Sequence, residues 1–90
     1  MNKVLNVIGD TQKGQYALGA LQGRAHTRAK KAKENGNIDD MKKHMRTFDD
    51  AVETALKHNY RGDINDADYQ KRKGLTNAEH KGYLDYMKKQ

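Results

Sequence analysis

Two long stretches of the chain repeat apolar or small residues every three or four positions, which is the period of an α-helix. In the first stretch, about residues 12–35, the stripe consists of Gly14, Leu18, Leu21, Ala25, Ala29 and Ala32. In the second, about residues 38–59, it consists of Ile38, Met41, Met45, Phe48, Val52, Ala55 and Leu56. Gly36 is a typical stop for the first helix, and Asn37 is a typical N-cap for the second. The pattern predicts an antiparallel hairpin with large side chains of the second helix packed over small residues of the first.

The last third of the chain contains two similar helix-start signals, INDADY (64–69) and LTNAEH (75–80). Asn65 and Thr76 are candidate N-caps, each followed three residues later by an acid as in a capping box. They predict a short helix over about 66–73 and a terminal helix over about 77–89, separated by Gly74. Together with a short leader (1–10) and the hairpin (11–60), these two helices (63–90) predict a single small all-α domain over residues 1–90.

The first of these signals also resembles the short terminal module called SHOCT, at Gly62, Ile64, Asn65, Asp68, Tyr69 and Lys73. The resemblance covers fewer than twenty residues and largely repeats the capping pattern. It therefore implies no function for this chain.

A second face of the first predicted helix is also smooth. Gly19 and Gly23 lie there with Tyr16, on the side opposite Leu18. A glycine inside a helix costs about 1 kcal/mol relative to alanine, so these two positions require a structural reason. We expect this face either to pack against the C-terminal helix, or to form a dimer contact or a surface that lies against a partner.

The composition limits the chemistry available to this chain of 90 residues. It contains no cysteine and no serine, and its four histidines form no metal-binding motif. Its glycines do not form a nucleotide-binding loop. We therefore predict a protein that is not an enzyme and uses no metal or other cofactor. No apolar run approaches the ~18 residues of a spanning helix, so we expect a cytoplasmic protein without membrane contact.

Positive charge is concentrated in two regions. The stretch GRAHTRAKKAK (23–33) has five lysines and arginines and no acid, and residues 71–90 have six against two acids. Between them, residues 34–70 have five bases and nine acids. Such an uneven distribution of a net charge of +6 favours an anionic partner. The candidate binding residues are Arg24, Arg28, Lys30, Lys31, Lys33, Lys71, Arg72 and Lys73.

Three classes of function fit this pattern. The first is a basic helical module that binds nucleic acid, DNA or RNA, through a helix-borne Arg/Lys surface. The second is a phage- or plasmid-type accessory protein that binds, modulates or inhibits another protein through an acidic surface of that partner. The third is a structural component that forms homo-oligomers, with Gly19 and Gly23 as its best supporting feature.

Overall fold

The computed structural model describes residues 11–58 and 69–89. These residues form three α-helices, α1 (Gln12–Glu34), α2 (Ile38–Leu56) and α3 (Tyr69–Lys88), and contain no strand. The predicted all-α fold, a helical hairpin with further helix packed against it, is therefore confirmed. The predicted leader (1–10) lies outside the described residues, as does the segment 59–68.

The turn between α1 and α2 forms as the sequence predicts. Gly36 has a φ of 76°, a left-handed conformation that favours glycine. Its amide donates to the Lys33 carbonyl oxygen over 3.0 Å. The next amide, of Asn37, donates to the Ala32 carbonyl oxygen over 2.9 Å, which completes a Schellman motif. The Asn37 side chain then accepts from the Asp40 amide over 3.2 Å and caps α2.

α2 runs antiparallel to α1 and shares a small buried core with it. The side-chain amide of Gln15, near the start of α1, donates to the carbonyl oxygen of Ala55, near the end of α2, over 3.2 Å. Leu18 forms a cluster with Ala51 and Ala55, and all three are almost fully buried. Half-buried Leu21 packs against this cluster. This cluster therefore lies at the end of the hairpin away from the turn, and buried Ala25 and Ala29 continue the core toward the turn.

The apolar stripe of α2 is buried less completely than its regular spacing predicts. Ile38 and Leu56 remain 46% and 50% exposed. Phe48, at the centre of the stripe, is only half-buried, and its ring centroid lies 6.2 Å from that of His26. The reason is that α3 packs extensively on α1 and not on α2, so α1 provides most of the cover for this stripe among the described helices.

α3 crosses α1 at two glycines. A methyl group placed on Gly19 would overlap the carbonyl oxygen of Glu79, and one placed on Gly82 would overlap the carbonyl oxygen of Tyr16. The two backbones therefore meet directly, without an intervening side chain, and each glycine is required because it lacks a Cβ.

Side-chain contacts near this crossing show that α3 runs parallel to α1. The Gln22 amide donates to the Glu79 carboxylate over 2.6 Å. Further along both helices, the Thr27 hydroxyl lies 3.8 Å from the sulfur of Met87. Because the contact partners advance together along the two helices, α1 and α3 point in the same direction.

α3 is continuous through Gly74, so the predicted break at this residue is wrong. Thr76, predicted to cap a separate helix, lies inside α3 and donates to the carbonyl oxygen of Arg72 over 2.9 Å. A helical glycine costs about 1 kcal/mol, and the burial of Leu75, which is 2% exposed, offsets that cost. The other predicted cap, Asn65, lies outside the described residues.

Candidate anion-binding surface

Three of the predicted cations lie together on the outer face of α1. Arg24, Arg28 and Lys31 are spaced four and three residues apart, so they follow one line along the helix, and all three are exposed. Within residues 11–58 and 69–89, none of them forms a hydrogen bond or an ion pair with an acid. Their charges therefore face solvent, and no carboxylate of the described residues forms an ion pair with them.

Three further lysines extend this line into a larger surface. Lys13 is eighteen residues before Lys31, which is five helical turns, so the two side chains leave α1 in the same direction. Lys13 and Lys81 line one depression of about 560 Å³ between α1 and α3. Lys88 follows Lys81 by about two turns and lies on the same side of α3. We call the exposed set the basic face: Lys13, Arg24, Arg28, Lys31, Lys81 and Lys88.

One carboxylate, Asp85, lies between Lys81 and Lys88 along α3. The Tyr16 hydroxyl donates to its Oδ2 atom over 2.6 Å. This hydrogen bond raises the pKa of Tyr16 above its ordinary value of 10.0, and desolvation and the negative charge of Asp85 act in the same direction. Tyr16 therefore remains a donor at neutral pH and holds Asp85 in place.

Lys30 and Lys33 lie on a different side of α1 from the basic face. They line a depression of about 280 Å³ between α1 and α2 whose apolar wall includes Met41 and Met45. His26 lies in the same depression. The structure therefore divides the predicted GRAHTRAKKAK cluster between two sides of one helix.

The predicted cations Lys71, Arg72 and Lys73 lie in the first turns of α3, beside the start of α1, where Gly74 meets the Gln12 side chain. Each of the three already has an interaction partner in the structure. The axial rise of α1 from Gln12 to the region of Lys31 is about 28 Å. The structure therefore does not bring these three residues together with the C-terminal cations of α1.

The predicted smooth face of Tyr16, Gly19 and Gly23 is covered by α3. Besides the Gly19 crossing, the ring of Tyr86 lies over Gly23, and an added methyl group there would be 3.0 Å from its Cδ1 atom. The rings of Tyr83 and Tyr86 are half-buried, as is Tyr16. Helix packing within the chain therefore accounts for both glycines.

The predicted binding residues omit Lys81 and Lys88 of the basic face, and they also omit Lys13. The available signal for Lys13 was its spacing of five full turns from Lys31, but this lysine is the only charged residue between Asp10 and Arg24 and belongs to no visible cluster. The side of α3 that bears Lys81 and Lys88 could be joined to it only after the helix crossing was known.

Comparisons of the chain with protein-family models, curated proteins and solved structures give no match. Within residues 11–58 and 69–89, no three histidine, aspartate or glutamate side chains are grouped so that they could hold a metal ion. None of the three described helices combines the length and apolar character needed to cross a membrane.

Proposed function

We propose that this chain is a non-enzymatic module that binds nucleic acid through the basic face. The observation that carries the proposal is the set of six exposed cations along the α1–α3 pair, with Asp85 beside them on α3 and Glu34 one turn after Lys31 on α1. Phosphate groups are the natural ligands of such a surface because lysine and arginine neutralise them while releasing condensed counterions. Lys71, Arg72 and Lys73 would extend the contact at the Lys13 end.

The arrangement of Arg24 and Arg28 supports this proposal further. Like charges four residues apart destabilise a helix by about 0.2–0.5 kcal/mol. Lys31 has a structural benefit because it lies in the last turn of α1, where a cation interacts favourably with the helix dipole. The two arginines lie before that turn and receive no comparable benefit. Their placement is therefore better explained by an external anion than by helix stability.

The composition of the basic face favours contacts with phosphates over contacts with bases. The α1 positions between Lys13 and Arg24 on this side are occupied by Ala17, Ala20 and Leu21, which have no hydrogen-bonding side chains. Phosphate contacts position a protein on nucleic acid, whereas contacts with base edges provide most direct sequence discrimination. We therefore propose binding that is largely independent of sequence.

The proposal predicts strongly salt-dependent binding of the unaltered protein to short duplexes of unrelated sequence. If three to six phosphates are neutralised, log affinity against log salt should fall with a slope of about −3 to −5. Fluorescence anisotropy with labelled DNA and RNA measures this slope. Absence of binding at low salt would contradict the proposal. Equally effective competition by polyglutamate would instead support an acidic protein as the partner.

A further inference from the structure

One flank of α2, beside the surface that α1 covers, carries an incompletely covered apolar strip. α1 buries Ala51, Thr54 and Ala55, whereas Ile38 and Leu56 at the two ends of the strip are about half exposed. Met45 and Val52 lie between these ends and are half-buried. Together with the charges beside them, we call this surface the free flank of α2: Ile38, Lys42, Met45, Arg46, Asp49, Val52, Glu53 and Leu56.

The charges on the free flank are arranged symmetrically with opposite sign. Lys42 and Arg46 lie in the first half of α2, whereas Asp49 and Glu53 lie in the second half, and all four are exposed. Lys42 and Glu53 are equally distant from the point between residues 47 and 48, and so are Arg46 and Asp49.

The apolar ends have nearly the same symmetry, since Ile38 and Leu56 are equally distant from residue 47. An antiparallel copy of α2 would therefore place apolar residues against apolar residues and cations against acids. A parallel copy would place like charges against each other, which is unfavourable.

We propose that the free flank of α2 binds the same flank of a second copy of this chain, antiparallel and about a two-fold axis. Such an isologous interface uses one self-complementary patch on both subunits. It would bring Lys42 opposite Glu53 of the partner subunit and Arg46 opposite Asp49 of the partner subunit. The inference does not depend on nucleic-acid binding, because this flank of α2 shares no residue with the basic face.

The length of α2 limits the affinity that we expect for this dimer. Nineteen residues give a contact about 28 Å long. The contact area of a single pair of helices of this length is small compared with the roughly 800 Å² per partner of a standard stable interface. The dimer should therefore be weak, and its population should depend on concentration in the range of about 10 µM to 1 mM.

Complementary charge reversal tests the proposed pairing. Sedimentation velocity of the unaltered protein should show an average mass that rises from 10.3 kDa toward twice that value as concentration increases. The variant Asp49→Lys/Glu53→Lys and the variant Lys42→Glu/Arg46→Glu should each remain monomeric, because each places like charges across the interface. An equimolar mixture of the two variants should associate again, since all of the opposed charges are then complementary.

A matched variant separates local pairing from net charge. Glu34→Lys/Asp50→Lys changes the net charge as much as Asp49→Lys/Glu53→Lys, but both positions lie off the free flank. It should associate like the unaltered protein, and circular dichroism should show that all variants keep their helix content. A monomeric unaltered protein at every concentration would overturn the proposal. Association of either charge-reversal variant on its own would also overturn it, and so would an equimolar mixture of the two that stays monomeric.

Discussion

Replacing Gly19 by leucine should separate α3 from α1 and cost more than about 3 kcal/mol of unfolding free energy. Overpacking a core position by a few carbon atoms costs about 1–3 kcal/mol, and here the first added carbon already overlaps the Glu79 carbonyl oxygen. Backbone atoms cannot rotate away as a flexible side chain can. The total free energy of unfolding of a small domain is about 5–15 kcal/mol. The loss should therefore be visible as a much lower urea concentration at the midpoint of unfolding.

The matched control is Ala17→Leu, which enlarges an exposed residue two positions earlier in the same helix. It should change stability little, since no neighbouring helix is displaced. The sign of the Gly19 result is itself informative. At an open helical position, replacing glycine by leucine would raise helix propensity and stabilise the protein by several tenths of a kcal/mol or more. A stabilised Gly19→Leu variant would therefore contradict the close crossing of α1 and α3.

Replacing Arg24, Arg28 and Lys31 together by alanine should make the salt dependence of nucleic-acid binding shallower by about two to three units of slope. Three neutralised phosphates contribute about 2.7 units on duplex DNA, which corresponds to roughly 40-fold in affinity between about 50 and 200 mM salt. The helix should remain intact because alanine favours it. Affinity should fall similarly for unrelated sequences, since the lost contacts are to phosphates.

The control for this variant removes the same amount of charge from α2 and its C-cap residue, as Lys43→Ala/Arg46→Ala/Lys57→Ala. Both variants have a net charge lower by three, but only the first loses members of the basic face. Binding should be measured at low-micromolar protein or below, so that self-association through α2 does not contribute. Equal loss of slope in the two variants would mean that net charge alone, and no defined surface, controls binding.

The parts of the fold predicted from sequence are those set by local chemistry. The turn at Gly36 and the cap at Asn37 depend on residues that are adjacent in the chain, and both form as predicted. The helix break predicted at Gly74 is wrong because glycine can end a helix or lie inside one. The choice between these depends on tertiary contacts such as the burial of Leu75, which local patterns do not encode.

For the candidate surface, too, the sequence predicts local features but not those that depend on tertiary contacts. Helical periodicity alone places Arg24, Arg28 and Lys31 on one line, and the structure has them exposed there. Periodicity could not place α3 parallel to α1, because that direction depends on tertiary contacts such as Gln22 with Glu79 and Thr27 with Met87. That direction places Lys81 beside Lys13. It also separates Lys71 from the C-terminal end of α1.

The measurement that tests the basic face most directly is nuclear magnetic resonance mapping of the bound surface. A short duplex titrated into isotope-labelled protein at low salt should shift the side-chain signals of Arg24, Arg28 and Lys31, with those of Lys13, Lys81 and Lys88. The exposed residues of α2, such as Asp39 and Asp50, should change little. Shifts confined to α2, or spread evenly over all exposed lysines and arginines, would contradict a binding surface formed by α1 and α3.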